Sequence, residues 1–298
     1  MRYLCALLAA SVAWPALAES PEEAMARLRE RSAPFYAAPF VLGAHRGGLH
    51  EFPENTLYGF QACAKAFPGT LLEGDVASTK DGYVVMLHDR TVDRTTNGEG
   101  AIADLTLDEV QQLDAAYHFT RDGGETFPLR GEGIRVPLVR EVLGALPNEI
   151  FLLEVKDNPE TARRFIRIIR ELGMQQRVII GSFSAQVMQV VRDEAPGIGT
   201  CYDPPGVFRL AQALRGDWDA YVPEATMLAI GYNQFDGLAP TPDVVDRMQA
   251  KGILVSVHTV NRQEDLERYV AMGVDNVLTD WPSRLKTVIN AAQSNSNE

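Results

Sequence analysis

The chain has 298 residues, 46% of them hydrophobic, with only three cysteines, which is enough for a sizeable core and too few cysteines for a disulfide-stapled scaffold. Its 28 Lys and Arg against 40 Asp and Glu leave a net charge of −12, which argues against nucleic acid or an anionic membrane surface as a partner. No Pro/Ser-rich linker, low-complexity tract or coiled-coil heptad divides it, so one domain is expected.

Residues 1–18 combine a basic start at Arg2, an apolar stretch from Leu4 to Trp14 and the cleavage sequence Ala16-Leu17-Ala18, the pattern of a secretory signal peptide. The mature chain is then the single domain 19–298, periplasmic or secreted. Loss of Arg2 leaves 27 basic against 40 acidic residues, a net charge of −13. The apolar stretch, about 15 residues, falls short of the about 20 a membrane anchor needs. No cysteine follows the cleavage sequence to carry a lipid. Cys63, in a helical stretch, and Cys201, in a distant strand, are expected to be free buried thiols.

The first apolar run, residues 40–44, ends at His45 and is followed by Arg46-Gly47-Gly48. Two glycines let a backbone come close to a ligand, and Arg46 offers a bidentate fork for phosphate. A helix is expected from Thr56 to Phe67, capped by Asn55 or Thr56, with Glu54 and Asn55 serving either that helix start or as polar support near His45. In the next strand, 70–75, alternation points Glu73 and Asp75 to one face. Two adjacent inward anions repel, and a divalent cation would hold both ionised; oxygen-only ligation suits Ca²⁺ and Mg²⁺ better than zinc. Asp81-Gly82 reads as a two-residue hairpin turn, and counting outward from it sets His88 opposite Asp75. The run 83–88 is thus antiparallel to its predecessor. Residues 89–135, rich in charge and glycine with one helical piece near Leu107 to Leu113, read as an excursion over the mouth of the fold, or else as a disordered insertion without a role.

Beyond it, strand 150–154 ends in Glu154, a third carboxylate. Strands 177–182, 198–202, 228–232, 253–259 and 276–279 follow, alternating with helical patterns such as Pro159 to Leu172, Pro242 to Lys251 and Arg262 to Met272, with Gly173, Gly252 and Gly273 at or just past helix ends. Excluding 83–88, this is an α/β chain of eight parallel strands closing into a TIM (β/α)8 barrel, with an insertion after the second barrel strand. In such a barrel the site lies at the carboxyl ends of the strands, where His45, Glu73, Asp75, Glu154, Thr259 and Asp280 fall. The carboxylates taken singly could also be strand-end residues facing solvent. Phe183, Tyr202, Phe127, His258 and Trp281 either wall a pocket there or simply pack. Two histidines beside a carboxylate cluster suit phosphodiester cleavage, which needs one group to take a proton and another to give one.

At this point nine segments carry a resemblance: His45-Arg46-Gly47-Gly48, Pro53-Glu54-Asn55-Thr56, Glu73-Gly74-Asp75-Val76, Lys80-Asp81-Gly82, Val85-Met86-Leu87-His88-Asp89, Asp93-Arg94-Thr95-Thr96-Asn97-Gly98, Leu153-Glu154-Val155-Lys156, Thr259-Val260-Asn261 and Thr279-Asp280-Trp281-Pro282. In this order, over nearly the whole mature chain, they resemble the glycerophosphodiester phosphodiesterase family. The resemblance implies His45 and His88 as general acid and base, Glu73, Asp75 and Glu154 as ligands of one divalent cation, and Arg46 and Lys156 as phosphate contacts. The substrate it implies is a small-molecule glycerophosphodiester, split to sn-glycerol 3-phosphate and an alcohol such as choline or ethanolamine. Water and the substrate's neighbouring hydroxyl both stay open as nucleophile. A calcium-rich extracellular compartment and a flexible three-carboxylate set favour Ca²⁺ over Mg²⁺.

The chain departs from the family at His258, where tryptophan is usual, and at Leu138-Val139, where Thr-Leu is usual. A phosphodiesterase acting on lysophospholipids is the alternative, against which the polar 89–135 excursion argues. A third is a binding protein that holds glycerophosphodiesters without cleaving them. A zinc amidohydrolase barrel would show an inward His-x-His pair, and no two of the five histidines stand two apart. The oligomeric state stays open.

Overall fold

The computed structural model describes residues 20–32, 35, 41–231 and 240–295. The signal segment 1–18 lies outside the described residues, as do Phe40 and Tyr232 of two expected strands. Nine strands form one sheet: β1 (Val41–Ala44), β2 (Leu71–Ser78), β3 (Val84–Met86), β4 (Ile150–Val155), β5 (Val178–Gly181), β6 (Gly199–Thr200), β7 (Met227–Gly231), β8 (Leu254–His258) and β9 (Asn276–Thr279). Eight of them run parallel in the order β6-β5-β4-β2-β1-β9-β8-β7, while β3 pairs antiparallel with β2 alone. Between the outermost two, Cys201 bridges Met227 in parallel, and the Thr226 N–H donates to the Thr200 carbonyl at 2.8 Å, which closes the ring. The expected eight-stranded α/β barrel is present.

Side-chain alternation builds its two cores. Leu71, Leu152, Ile179, Met227, Leu254 and Leu278 point inward and, with Phe35 and Cys201, fill the barrel floor. Their neighbours Leu72, Leu153 and Ile180 point outward against the helices. Each such fully buried side chain contributes about 1.5–3 kcal/mol from apolar area removed from water. Cys63 and Cys201 are free and buried, one in the outer layer and one in the floor.

Helices α1 (Pro21–Ser32), α2 (Leu57–Ala66), α3 (Leu107–Val110), α4 (Val139–Ala145), α5 (Pro159–Glu171), α6 (Ala185–Glu194), α7 (Pro204–Arg215), α8 (Pro242–Ala250), α9 (Gln263–Met272) and α10 (Pro282–Asn295) complete the fold. None of the described helices is long and apolar enough to cross a membrane. Polar caps start several of them: Thr56 accepts from the Gly59 N–H at 2.9 Å, and Asn158, Ser184, Asp203 and Thr241 act alike. Thr56, not Asn55, is the cap of α2. At α4, Leu138 has no side chain to cap with, and the Glu141 carboxylate accepts the Leu138 N–H at 2.8 Å instead.

The hairpin departs from the two-residue expectation. Ser78 pairs with Val84, the Thr79 N–H donates to the Tyr83 carbonyl at 2.9 Å, and the loop is the three residues Lys80–Gly82. Thr79 widens it, because its hydroxyl donates to Asp81 and accepts from the Tyr83 N–H. Gly82 takes the left-handed conformation (φ 85°) that such a loop needs. The register therefore shifts by one: Leu87, not His88, lies opposite Asp75, donating to its carbonyl at 3.0 Å. Residues 89–135 have a core of their own, in which Val92, Ile102, Val110, Ala116, Phe119 and Ile134 pack on Ala77, Val85 and Leu87 of the hairpin.

Candidate active site

β1 delivers His45 into a tight turn in which Arg46, Gly47 and Gly48 all take positive φ (52°, 82° and 89°). The glycines serve packing: a Cβ on Gly47 would meet the Phe60 ring at 3.1 Å and one on Gly48 would meet Pro282 at 2.6 Å. For Arg46 the left-handed backbone costs about 1–2 kcal/mol. It directs the Arg46 N–H to Glu73 Oε2 at 2.7 Å and the guanidinium toward Asp75, with Nε 3.6 Å from Oδ2. That Nε is buried and makes no hydrogen bond.

β2 alternation buries Glu73 and Asp75 inside the mouth, and the β2–β4 register sets Asp75 beside Glu154. Asn55, also left-handed at φ 52°, holds Asp75 twice: its amide donates to Oδ2 at 2.8 Å and its carbonyl accepts the Asp75 N–H at 3.0 Å. The Lys156 ammonium spans Asp75 Oδ1 (3.1 Å) and Glu154 Oε2 (2.8 Å). Burial, then the Asp75 charge, pushes the Glu73 carboxyl above its usual range. Burial raises Glu154 too, against the pull of Lys156. Burial would lower Lys156, but the charges of Asp75 and Glu154 outweigh it and hold the ammonium protonated. Among the described residues no three Asp, Glu, His or Cys side chains converge as closely as a bound metal ion requires.

Each histidine is held through Nδ1 by a carboxylate. His45 Nδ1 lies 2.6 Å from Asp280 Oδ1, and Asp280 Oδ2 accepts from the Asn261 amide at 2.6 Å. Asn261 Oδ1 in turn accepts from the Asp280 N–H and the Thr279 hydroxyl. Burial works to lower the His45 pKa, but the Asp280 bond and the Glu73 and Asp280 charges raise it on balance. Burial would lift Asp280, but its bond and charge pairing with His45, the Asn261 bond and the His50 charge together more than offset that. His88 Nδ1 lies 2.6 Å from Asp89 Oδ1, and Asp89 Oδ2 accepts from Arg94 Nε at 2.5 Å. Arg94 then forks onto Glu54 (2.6 and 2.8 Å), whose Oε1 also accepts from Arg46 Nη1 at 3.1 Å. A continuous chain, His88–Asp89–Arg94–Glu54–Arg46, thus ties the insertion to the first barrel loop. Against burial, Arg94 and Arg46 keep Glu54 below the usual carboxylate range. His45 precedes Arg46, whose N–H holds Glu73, and His88 follows Leu87, whose N–H holds the Asp75 carbonyl, so both histidines stand beside the strand that carries the carboxylates.

The model of the glycerophosphoryl diester phosphodiesterase family matches residues 45–284, from the first catalytic candidate to the start of α10. The chain belongs to that family. A rat glycerophosphodiester phosphodiesterase 1 is 45% identical over 262 residues, covering 80% of this chain and 76% of that one. A glycerophosphodiester phosphodiesterase of Caldanaerobacter subterraneus is 35% identical over 254 residues, covering 83% and 96%. The fold is shared with a crystal structure of an Oleispira antarctica phosphodiesterase in complex with the product sn-glycerol-3-phosphate (TM-score 0.68, 23% identity, 84% and 96% covered).

In this member of the family, His45, Arg46, Glu73, Asp75, Glu154 and Lys156 gather at one end of the barrel, and His88 joins them from just beyond β3. Glu54 and Asn55 take the polar supporting role that sequence reasoning left open beside helix capping, whereas Asp280, Asp89 and Arg94 are supporting residues to which it gave no such role, although each lies within a segment of the resemblance. Of the wall residues, Trp281 stacks on His50 at 4.7 Å, Phe127 lies under the Arg130 guanidinium, Phe183 is 69% exposed, and Tyr202 is buried in the outer layer, bonded to Tyr221. A cleft of about 180 Å³, with His50, Glu54, Arg94, His118 and Thr120 in its lining, separates the first loop from the insertion.

Proposed function

We propose that this chain hydrolyses glycerophosphodiesters to sn-glycerol 3-phosphate and an alcohol, with His45 and His88 exchanging protons and Glu73, Asp75 and Glu154 holding one divalent cation. The observation that carries the reading is the pair of histidines, each bound through Nδ1 to a carboxylate and each beside the strand that carries the inward carboxylates. That bond leaves Nε2 of each ring for proton exchange and stabilises the imidazolium that forms. One ring takes the proton of the nucleophile, and the other gives one to the leaving alkoxide. Arg46 and Lys156 supply positive charge for the phosphoryl group.

The donor set suits a hard cation, because all three candidate ligands are oxygen donors that β2 and β4 bring to one mouth. Ca²⁺ fits best and Mg²⁺ second. When bound, the ion neutralises charge developing on the phosphoryl oxygens. Lys156, which spans Asp75 and Glu154, would then be available to the phosphate.

Relatives named for the same activity at 35% and 45% identity support the reaction. We assign residues 1–18 as a signal peptide and the protein to the periplasm or the exterior; an exported chain beginning at Glu19 is the expected result of N-terminal sequencing. The test of the reaction is turnover of glycerophosphocholine, glycerophosphoethanolamine and lysophosphatidylcholine side by side. Release of glycerol 3-phosphate from the first two is expected; cleavage of the lysolipid alone would overturn the substrate assignment.

A further inference from the structure

β8 alternates from Leu254 in the barrel floor through Ser256, bonded to Asn276 inside the barrel, to His258 at the mouth. The ring stands near enough to His45 and Lys156 to feel both charges. Yet it makes no hydrogen bond to any described residue, and its Nδ1 is sealed from solvent without a partner. Its neighbours in the mouth differ: His45, His88, Glu73, Asp75, Glu154 and Lys156 are all paired, and Arg46, although its Nε is unpaired, bonds Glu54 through Nη1. An unpaired buried polar group lowers stability, and one that persists in an active site calls for a functional explanation.

Burial, followed by the positive charges of His45 and Lys156, lowers the His258 pKa to about 4. The ring is therefore neutral at physiological pH and carries one N–H. A proton on Nδ1 would strand a buried donor, so the proton belongs on Nε2, the nitrogen not sealed from solvent. The mouth thus holds an uncharged donor within reach of the Lys156 charge.

We propose that His258 is a specificity-determining substrate contact, whose Nε2–H donates to a hydroxyl of the glycerol moiety while Arg46 and Lys156 take the charged phosphoryl group. This rests on the reading of the mouth as a glycerophosphodiester site. A neutral donor matches a neutral acceptor, and the cations of the mouth match the anion of the same molecule.

The test is calorimetric binding of sn-glycerol 3-phosphate and of n-propyl phosphate, which lacks the hydroxyls, to the full chain and to His258→Phe and His258→Gln in the presence of Ca²⁺, together with each Tm and with glycerophosphocholine turnover by the wild type. The expected result is a roughly tenfold weaker Kd for glycerol 3-phosphate in His258→Phe, the size of one lost hydrogen bond. Binding of n-propyl phosphate is unchanged, His258→Gln recovers part of the loss, and Tm is equal to or above that of the wild type because no protein partner is lost. Unchanged binding of glycerol 3-phosphate, equal weakening of both ligands, no binding of either by the wild type, or a lower Tm in both variants would each overturn the assignment. Absent wild-type turnover with selective loss of glycerol 3-phosphate binding would instead overturn the hydrolytic reading and leave the contact standing.

Discussion

Asp280 raises the proton affinity of His45 against the effect of burial. Replacing Asp280 by Asn removes an anion that stabilises the imidazolium, so the His45 pKa falls. Whichever limb of the pH–rate profile His45 governs is therefore expected to move to lower pH, with a lower kcat; an unmoved profile would separate Asp280 from His45. Glu73 shows the opposite strain. Its carboxyl is raised from the ordinary 4.5 by burial and by Asp75, so its contribution to stability is present at acid pH and is lost as pH rises through the elevated folded value. With chelator present, Glu73→Gln should be at least as thermostable as the wild type at pH 8, and it should lose the rise in Tm that added Ca²⁺ gives the wild type. A variant clearly less stable than the wild type in chelator would contradict this account. At this scale the carboxylates were legible, because period-two alternation is local in sequence. Asp280 stands 235 residues from His45, and only barrel closure brings them together, so no local pattern announces that bond.

Among the elements, most of the expected strands and helices were read within a residue or two, since their apolar periods and caps are local signals, but β2 runs three residues past 75, α3 stops three short of Leu113, and α1 was not read. The hairpin register was not, because one hydroxyl, that of Thr79, decides between a two- and a three-residue loop, and one residue changes which side chain faces Asp75. His88 reaches the carboxylates from beyond the end of β3, and the Asp89–Arg94–Glu54 chain fixes it there. Arg94 is half exposed, so its ion pairs add little to global stability. Arg94→Ala is accordingly expected to lower kcat by about 10- to 100-fold, the range for loss of a support behind a catalytic ligand, with Tm within a few degrees of wild type and with partial recovery in Arg94→Lys. Full activity in Arg94→Ala would show that His88 is positioned without the insertion.

Across the whole molecule, a net charge of −12 coexists with a mouth that concentrates Arg46, Arg94 and Lys156 around buried carboxylates. The acidic total argues against broad anionic surfaces as partners, whereas the local cations suit one small phosphodiester, as proposed. The barrel makes this possible by drawing β1, β2, β4, β8 and β9 to a common end, a property of topology that strand–helix alternation already implied. The contacts across the mouth were beyond sequence reasoning, since they depend on side-chain geometry between distant loops. The most direct measurement is release of sn-glycerol 3-phosphate from glycerophosphocholine by the wild type, His45→Ala and His88→Ala, in chelator and with Ca²⁺ restored. The account predicts metal-restored turnover in the wild type and a loss of about 10²- to 10⁴-fold in kcat for each folded variant; undiminished turnover by either variant, or wild-type turnover indifferent to chelator, would contradict it.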